Sequence, residues 1–168
     1  MTAAMASQRI MFQTMGHTEK PRPWRFMLFG GTSFGKTTLL RALEDKAPTT
    51  ATKSQMIDYS GWGIDTPGEY SEMGHYRRVL LTTSFDAQLV VVVQDATDER
   101  RIFPPNYFLM FPQRTIGVVT KVDHPRADIE RSRGLLAAAG VTGVIFCVSA
   151  FTGEGISALR DYLLSQDI

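Results

Sequence analysis

A single cysteine, Cys147, is all the thiol chemistry in these 168 residues. No disulfide can close within the chain. The thiol lies in the apolar run Val144-Ile-Phe-Cys-Val148, which predicts a buried structural role and not a nucleophile. That scarcity suits a reducing setting, so a cytoplasmic location is expected. An excess of one charge is missing as well. Eighteen Lys and Arg against seventeen Asp and Glu leave a net +1, which removes the electrostatic case for nucleic acid or an anionic membrane as main partner. Long apolar runs are lacking: the longest, Leu89 to Val93, has strand length and cannot span a membrane. Ile10-Met-Phe12 is too short for the apolar region of a signal peptide. Neither a solenoid-period repeat nor a low-complexity tract is found. The three histidines, His17, His75 and His124, have no metal-spaced partners, so surface or helix-capping roles are expected.

What is present is a phosphate-binding loop. Gly30-Gly-Thr-Ser-Phe-Gly35-Lys36-Thr37 has the form G-x-x-x-x-G-K-T. The apolar run Phe26 to Phe29 precedes it, and Leu39, Leu40 and Leu43 follow at helical spacing, so it sits between a strand and a helix. Gly30 and Gly35 let the N–H groups of Thr32, Ser33, Phe34 and Gly35 curl round phosphate oxygens. Lys36 reaches the β- and γ-phosphates, Thr37 offers its hydroxyl to Mg²⁺, and Thr38 continues a helix whose positive end faces the anion.

Length and composition indicate one α/β domain, with residues 1–22 set apart. That segment holds four of the eight methionines and closes at Pro21 and Pro23. It is read as a flexible or helical extension ahead of a domain spanning 23–168. Strands are expected at 24–29, 55–59, 61–65, 87–93, 115–119 and 144–148. Helices are expected over 36–46 with Pro48 as the stop, over 69–85 with Met73, Tyr76, Val79 and Leu80 on one face, near 129–136, and from Ile156 to Leu163. Residues 99–112 carry Phe103-Pro-Pro, Tyr107, Phe108, Phe111 and Pro112, which reads as a loop with one short turn and core-packed aromatics. Alternating strands and helices make a mostly parallel sheet covered on both faces.

Ligands of such sheets bind at the carboxyl ends of the strands. Asp65-Thr-Pro-Gly68 ends one strand, placing a carboxylate for Mg²⁺ and a Gly68 N–H for the γ-phosphate. Thr120-Lys121-Val-Asp123 ends another, and the Asp123 carboxylate can accept the two donors that guanine presents and adenine does not. The Lys121 stem can lie along the base. Ser149-Ala150 ends a third and can offer a backbone N–H to the guanine carbonyl oxygen.

That set, in that order, resembles the Ras-like P-loop GTPase domain. Lys53-Ser-Gln55, Ile64 to Tyr70, Val93-Gln-Asp-Ala-Thr-Asp98, Phe103-Pro-Pro105, Thr120 to Asp123 and Ser149 to Gly155 are similar to the ethanolamine- and propanediol-utilisation P-loop proteins (EutP/PduV). The resemblance implies a cytoplasmic bacterial protein associated with microcompartments, with a shell or cargo protein as candidate partner. It also implies GTP/GDP and Mg²⁺ as ligands and, in the ethanolamine branch, acetate kinase activity using ATP. The switch threonine lies among Thr49, Thr50, Thr52 and Ser54, and alignment on Lys-x-Gln favours Ser54 as a metal ligand. Glu69 stands where many GTPases put a water-orienting Gln, which implies slow hydrolysis. Thr120 replaces the usual Asn and would lose the amide that braces the loop. A potassium-assisted route lacks its usual Asn ligand at Thr32 and Ser33. Three functions stay open: a slow GTPase switch, a phosphotransferase with Arg77, Arg78 or Arg114 holding an acceptor carboxylate, and a shell-interaction module with a vestigial site.

Overall fold

Strand residues Phe26 to Phe29 (β1) show how the sheet divides two cores. Met27 and Phe29 point to one face and Phe26 and Leu28 to the other, all fully buried. Period-two alternation in a strand buried on both sides requires apolar residues at every position, and the sequence supplies them. In a computed structural model that describes residues 25–46, 55–59 and 61–165, four more strands join β1: Gly63–Ile64 (β2), Leu89–Asp95 (β3), Arg114–Thr120 (β4) and Ile145–Cys147 (β5). The order is β2-β1-β3-β4-β5 and every pairing is parallel. Leu89 pairs with Phe26 and with Arg114, and Asp95 pairs with Thr120, so the strands' carboxyl ends share one edge.

Lys36–Leu43 (α1) and Ile156–Leu164 (α5) cover one face, burying Leu39, Leu43, Leu159 and Leu163 on Leu28, Val91 and Val118. Arg77–Ser84 (α3) and Ile129–Ala138 (α4) cover the other through Leu80 and Leu136. Gly68–Glu72 (α2) is one short turn after β2. On the second face the 99–112 loop folds inward, as its aromatics suggested. Phe29 meets Phe108 and Phe111 edge-on at 5.4 and 5.2 Å, and Phe103 and Tyr107 close the cluster. A short 3₁₀ turn at Tyr107–Met110 is the one regular piece of that loop.

Several boundaries differ from the sequence expectation. Residues 69–85 do not form one helix. Met73 is extended, Gly74–Tyr76 is a 3₁₀ turn, and the helical phase restarts at Arg77. The restart turns Met73 and Val79 to solvent, while Leu80 is buried and Tyr76 stacks on Tyr70 at 4.2 Å. Of the two strands expected at 55–65, only Gly63–Ile64 joins the sheet, and Asp58 makes an isolated antiparallel bridge to Asp65. The first helix stops at Leu43, ahead of Pro48, which lies outside the described residues. Asp45 takes a left-handed conformation and the Lys46 N–H returns to the Arg41 carbonyl. Arg160 of α5 donates to the Ala42 and Leu43 carbonyls, tying off the same helix end. Cys147 is half-buried on the outer strand, not fully buried, with the Arg133 guanidinium 3.4 Å from its sulfur. The 1–22 extension and Ser54, Thr49, Thr50 and Thr52 fall outside the described residues. No helix among the described residues is long and apolar enough to cross a membrane.

Candidate functional site: a phosphate loop between a base notch and an acidic cleft

Between β1 and α1 the chain must turn tightly, and its glycines permit that. A Cβ on Gly30 would stand 2.8 Å from the Val93 carbonyl oxygen, and Gly35 has φ +87°. Ser33 is also left-handed, at φ 64°. Phe34 is buried in the core, so the backbone of this residue, and not its ring, is what the loop presents. Lys36 is buried and its Nζ donates to the Gly30 and Gly31 carbonyls at 2.8 and 2.9 Å. Burial lowers its ammonium to about 8, while the nearby Asp65 and Glu72 carboxylates pull it back up.

Thr37 and Asp65 are in contact. The Thr37 hydroxyl donates to Asp65 Oδ2 at 2.5 Å, and the Thr66 hydroxyl fixes that segment by donating to the Leu28 carbonyl at 2.7 Å. A hydroxyl and a buried carboxylate side by side form a hard-oxygen donor pair, which fits Mg²⁺. Gly68 follows directly and lies against Gly31 and Thr32. Glu69 is exposed on the rim of a cleft of about 540 Å³ that it shares with Thr32, Ser33, Glu72, Met73, Asp95, Asp98 and Arg100.

On the opposite side of the loop is a notch of about 40 Å³ where Gly35, Thr38, Thr120, Lys121, Asp123, Ala150 and Phe151 meet. Residues 85 and more apart in sequence are brought together here by the parallel sheet. Thr120 keeps the brace that its sequence suggested was lost. Its hydroxyl donates to the Phe34 carbonyl at 2.7 Å, so a single O–H takes over the support of the loop. Lys121 has φ 59° and its Nζ bridges the Ser33 carbonyl at 2.7 Å and Asp95 Oδ2 at 2.5 Å. Ser149 is buried, with its N–H given to the Glu154 carbonyl at 2.9 Å and its Oγ accepting the Thr152 N–H at 3.1 Å. Of the Ser149-Ala150 pair, Ala150 lines the notch.

Four residues escaped the sequence reading. Asp95 anchors Lys121, Glu72 and Ser71 reach the loop from α2, and Arg100 stands over the cleft, held by both oxygens of Asp98 at 2.7 to 3.1 Å. The polar burst Gln94-Asp95 ending an apolar strand was a usable signal, whereas Arg100 and Glu72 had none. Phe151 is a fifth: 72% exposed, it projects beside the notch. The arginines proposed for an acceptor pocket lie elsewhere. Arg114 opens β4, at the amino ends of the strands, and Arg77 lies over the Tyr107 ring at 5.7 Å. His124 Nδ1 accepts the Arg126 N–H at 3.1 Å, and no cluster of His, Cys, Asp and Glu fit to hold a metal occurs among the described residues.

A family model described as ethanolamine utilisation–propanediol utilisation, PduV-EutP, matches residues 24–165. The chain belongs to the PduV-EutP family. An Escherichia coli K12 relative with the name "Probable acetate kinase EutP" is 33% identical over 84% of this chain and 89% of its own length. The Citrobacter freundii "Propanediol utilization protein PduV" is 31% identical over 85% and 95% respectively. Among solved structures, the bacterial selenocysteine-specific elongation factor EF-Sec superposes with a TM-score of 0.60 at 22% identity. The match covers 88% of this chain but only 29% of the factor, so this PduV-EutP chain corresponds to less than a third of it. The expected fold, a parallel sheet with helices on both faces, is thereby found.

The lowered Lys36 ammonium has a consequence with two opposite signs. Its folded value, about 8, lies below the ordinary lysine value of 10.5, so between the two the unfolded chain holds more protons. Folding stability therefore rises with pH across that window, and the cost of the buried charge is fully present below it. Phosphate binding at this loop would run the other way, because an anion there would need the ammonium. Nucleotide affinity should fall by up to about tenfold per pH unit above about 8, with proton uptake on binding. Calorimetric titrations at about pH 7.5 and 9, in two buffers of different ionisation enthalpy, measure both. A flat profile would show that Lys36 does not change its protonation.

Proposed function

We propose that this chain binds guanine nucleotides with Mg²⁺ and hydrolyses GTP slowly, as a switch or assembly factor in bacterial microcompartment metabolism. The observation that carries this is the meeting of Thr38, Thr120, Lys121, Asp123 and Ala150 in one notch beside the phosphate loop. A base edge seated there puts its phosphates along the loop toward Lys36. Asp123 supplies the carboxylate for the two guanine donors, and the Phe151 ring and Lys121 stem supply apolar surface for the base faces. Thr37 and Asp65 would hold Mg²⁺, which neutralises phosphate charge when bound. Glu69 and the Gly68 backbone would serve the terminal phosphate. A carboxylate orients water poorly next to another anion, so unassisted turnover should be slow. A cation supplied by a partner could raise it by about 10³–10⁵. Association with a shell or its cargo accords with the family, and the methionine-rich residues 1–22 would be the docking segment.

Phosphoryl transfer to acetate is the second reading, favoured by the name of the Escherichia coli relative. The cleft at the phosphate end weighs against it. Glu69, Glu72, Asp95 and Asp98 line it, with Arg100 the one cation among the described lining residues, which disfavours a small carboxylate acceptor. The deciding experiment titrates GTP, ATP and their diphosphates into the purified chain with and without Mg²⁺. It then assays phosphate and acetyl phosphate after incubation with acetate. Preference for GTP with slow phosphate release supports the first reading. Preference for ATP with acetyl phosphate formation establishes the second.

Phe151 gives a test of the notch that is independent of base choice. Stacking on an aromatic ring is worth roughly 1–3 kcal/mol per base and tolerates any base. Phe151→Ala should weaken GTP and ATP by similar factors, about 5- to 150-fold, leaving their ratio unchanged. Unaltered affinity for both in a fluorescence titration would place the base elsewhere.

A further inference from the structure

The cleft end of the phosphate loop is met by an anion from within the chain. Glu72, the last residue of α2, turns its carboxylate back so that Oε1 accepts the Thr32 N–H at 2.7 Å. One residue earlier, Ser71 Oγ accepts the Gly30 N–H at 3.2 Å. At the start of the same turn, Gly68 lies so close that a Cβ there would stand 2.3 Å from the Thr32 nitrogen and 2.4 Å from its Cα. The whole of α2 is thus seated on the loop. Two cations flank the carboxylate: the Lys36 ammonium, which feels its charge, and Arg100, whose Nη2 is 3.9 Å from Oε1. A carboxylate on a backbone N–H between two cations marks a place that favours negative charge.

The polarity of the loop says which charge that place is built for. The base notch lies on the Thr38, Thr120 and Asp123 side. Thr32 lines the acidic cleft instead, with Gly68 against it and the Lys36 ammonium on the neighbouring Gly30 and Gly31 carbonyls, the end where the outermost phosphate of a triphosphate belongs. We propose that Glu72 is a tethered stand-in for the terminal phosphate, and that it sets the chain's preference between nucleoside diphosphate and triphosphate. The proposal rests on the nucleotide-binding reading above. A diphosphate leaves the Thr32 N–H to Glu72. A triphosphate brings like charge against that carboxylate and displaces it. Displacing Glu72 loosens the carboxyl-terminal half of α2 (Ser71 and Glu72), while Gly68 stays against the loop. The extended Met73 and the following Gly74 interrupt the helix just beyond and give it a pivot. Arg100, still gripped by Asp98, stays over the cleft and faces the incoming phosphate.

The test uses the full chain with GDP and a non-hydrolysable GTP analogue, or the adenine pair if that base is preferred. Glu72→Gln keeps the size and the oxygen acceptor and removes the charge. It should raise triphosphate affinity by about tenfold or more and change diphosphate affinity by less than about twofold. The gain should shrink as salt rises. Equal gains for both ligands, or none for either, overturn the proposal. Hydrogen exchange on the native chain gives a readout without any substitution. Amides 71–76, beyond the phosphate-facing Gly68, should exchange faster with the triphosphate analogue than with the diphosphate, and identical or slower rates overturn the proposal too. A native chain that binds neither nucleotide removes the nucleotide reading itself, and the proposal with it. Diphosphate binding with no selectivity effect at Glu72 leaves that reading standing and removes the proposal alone.

Discussion

Replacing Lys36 with alanine should abolish measurable triphosphate binding while the unfolding temperature stays at or above that of the native chain. The two halves have different origins. On the ligand side, the ammonium contributes charge-assisted hydrogen bonds to phosphate, each worth about 1.5–3 kcal/mol. Losing two of them lowers affinity by roughly 10²–10⁴. On the stability side, the side chain is buried and its ammonium is lowered from 10.5 to about 8 by desolvation. A shift of that size corresponds to a cost of roughly 3 kcal/mol for holding the charge inside at neutral pH. Its bonds to the Gly30 and Gly31 carbonyls offset part of that cost. Alanine removes both the charge and those bonds, so the net change in folding is small or favourable. Calorimetric titration and a thermal melt on the same sample separate the two effects. Undiminished affinity would remove the phosphate loop from the site. A melt lowered by many degrees would mean that Lys36 holds the loop together as a structural residue.

Most of the sheet was legible because its signals are local. Four near-continuous apolar runs bounded by turn residues point to strands, and β1, β3, β4 and β5 fall within two residues of those runs, with only the edge strand β5 half-buried. The glycine-bounded loop between β1 and α1 was equally plain, being contiguous in sequence. Where the expectation failed, the cause was local geometry that no periodicity reports. Residues 69–85 carry enough helical spacing to look continuous, yet the extended Met73 and the following turn at Gly74 break the phase and turn Met73 and Val79 to solvent while Leu80 stays buried. Bonds between distant residues were illegible for a different reason. Glu72 to Thr32 and Arg100 to Glu72 exist only because β2, β1 and β3 are adjacent. A sequence read in one dimension shows a carboxylate on a polar turn and an arginine in a charged loop, neither with a partner. Thr120 is the reverse case. The residue type suggested a lost brace, and the structure places its hydroxyl 2.7 Å from the carbonyl that needs support.

The largest change in selectivity is expected at Asp123. If its carboxylate receives both guanine donors, Asp123→Asn should lose GTP and gain xanthosine triphosphate. An amide offers a donor where the carboxylate offered an acceptor, and xanthine presents an oxygen where guanine has its amine. Breaking a two-bond polar match in a site that leaves the partner unpaired typically costs on the order of 10⁴ in discrimination. Here Asp123 is exposed at the rim of the notch, where water can re-pair an orphaned group. A smaller factor, about 10²–10³, is therefore expected. The neighbouring contacts should not change, because Thr120 and Lys121 are fixed to the loop by their own bonds to Phe34 and Ser33. Diphosphates should follow the same order as triphosphates, since the base lies at the opposite end of the loop from Glu72. Competition of GTP, xanthosine triphosphate and ATP against one labelled nucleotide measures all three affinities on both proteins. A native preference for ATP, untouched by Asp123→Asn, would take Asp123 out of base recognition and turn the site toward the phosphotransferase reading.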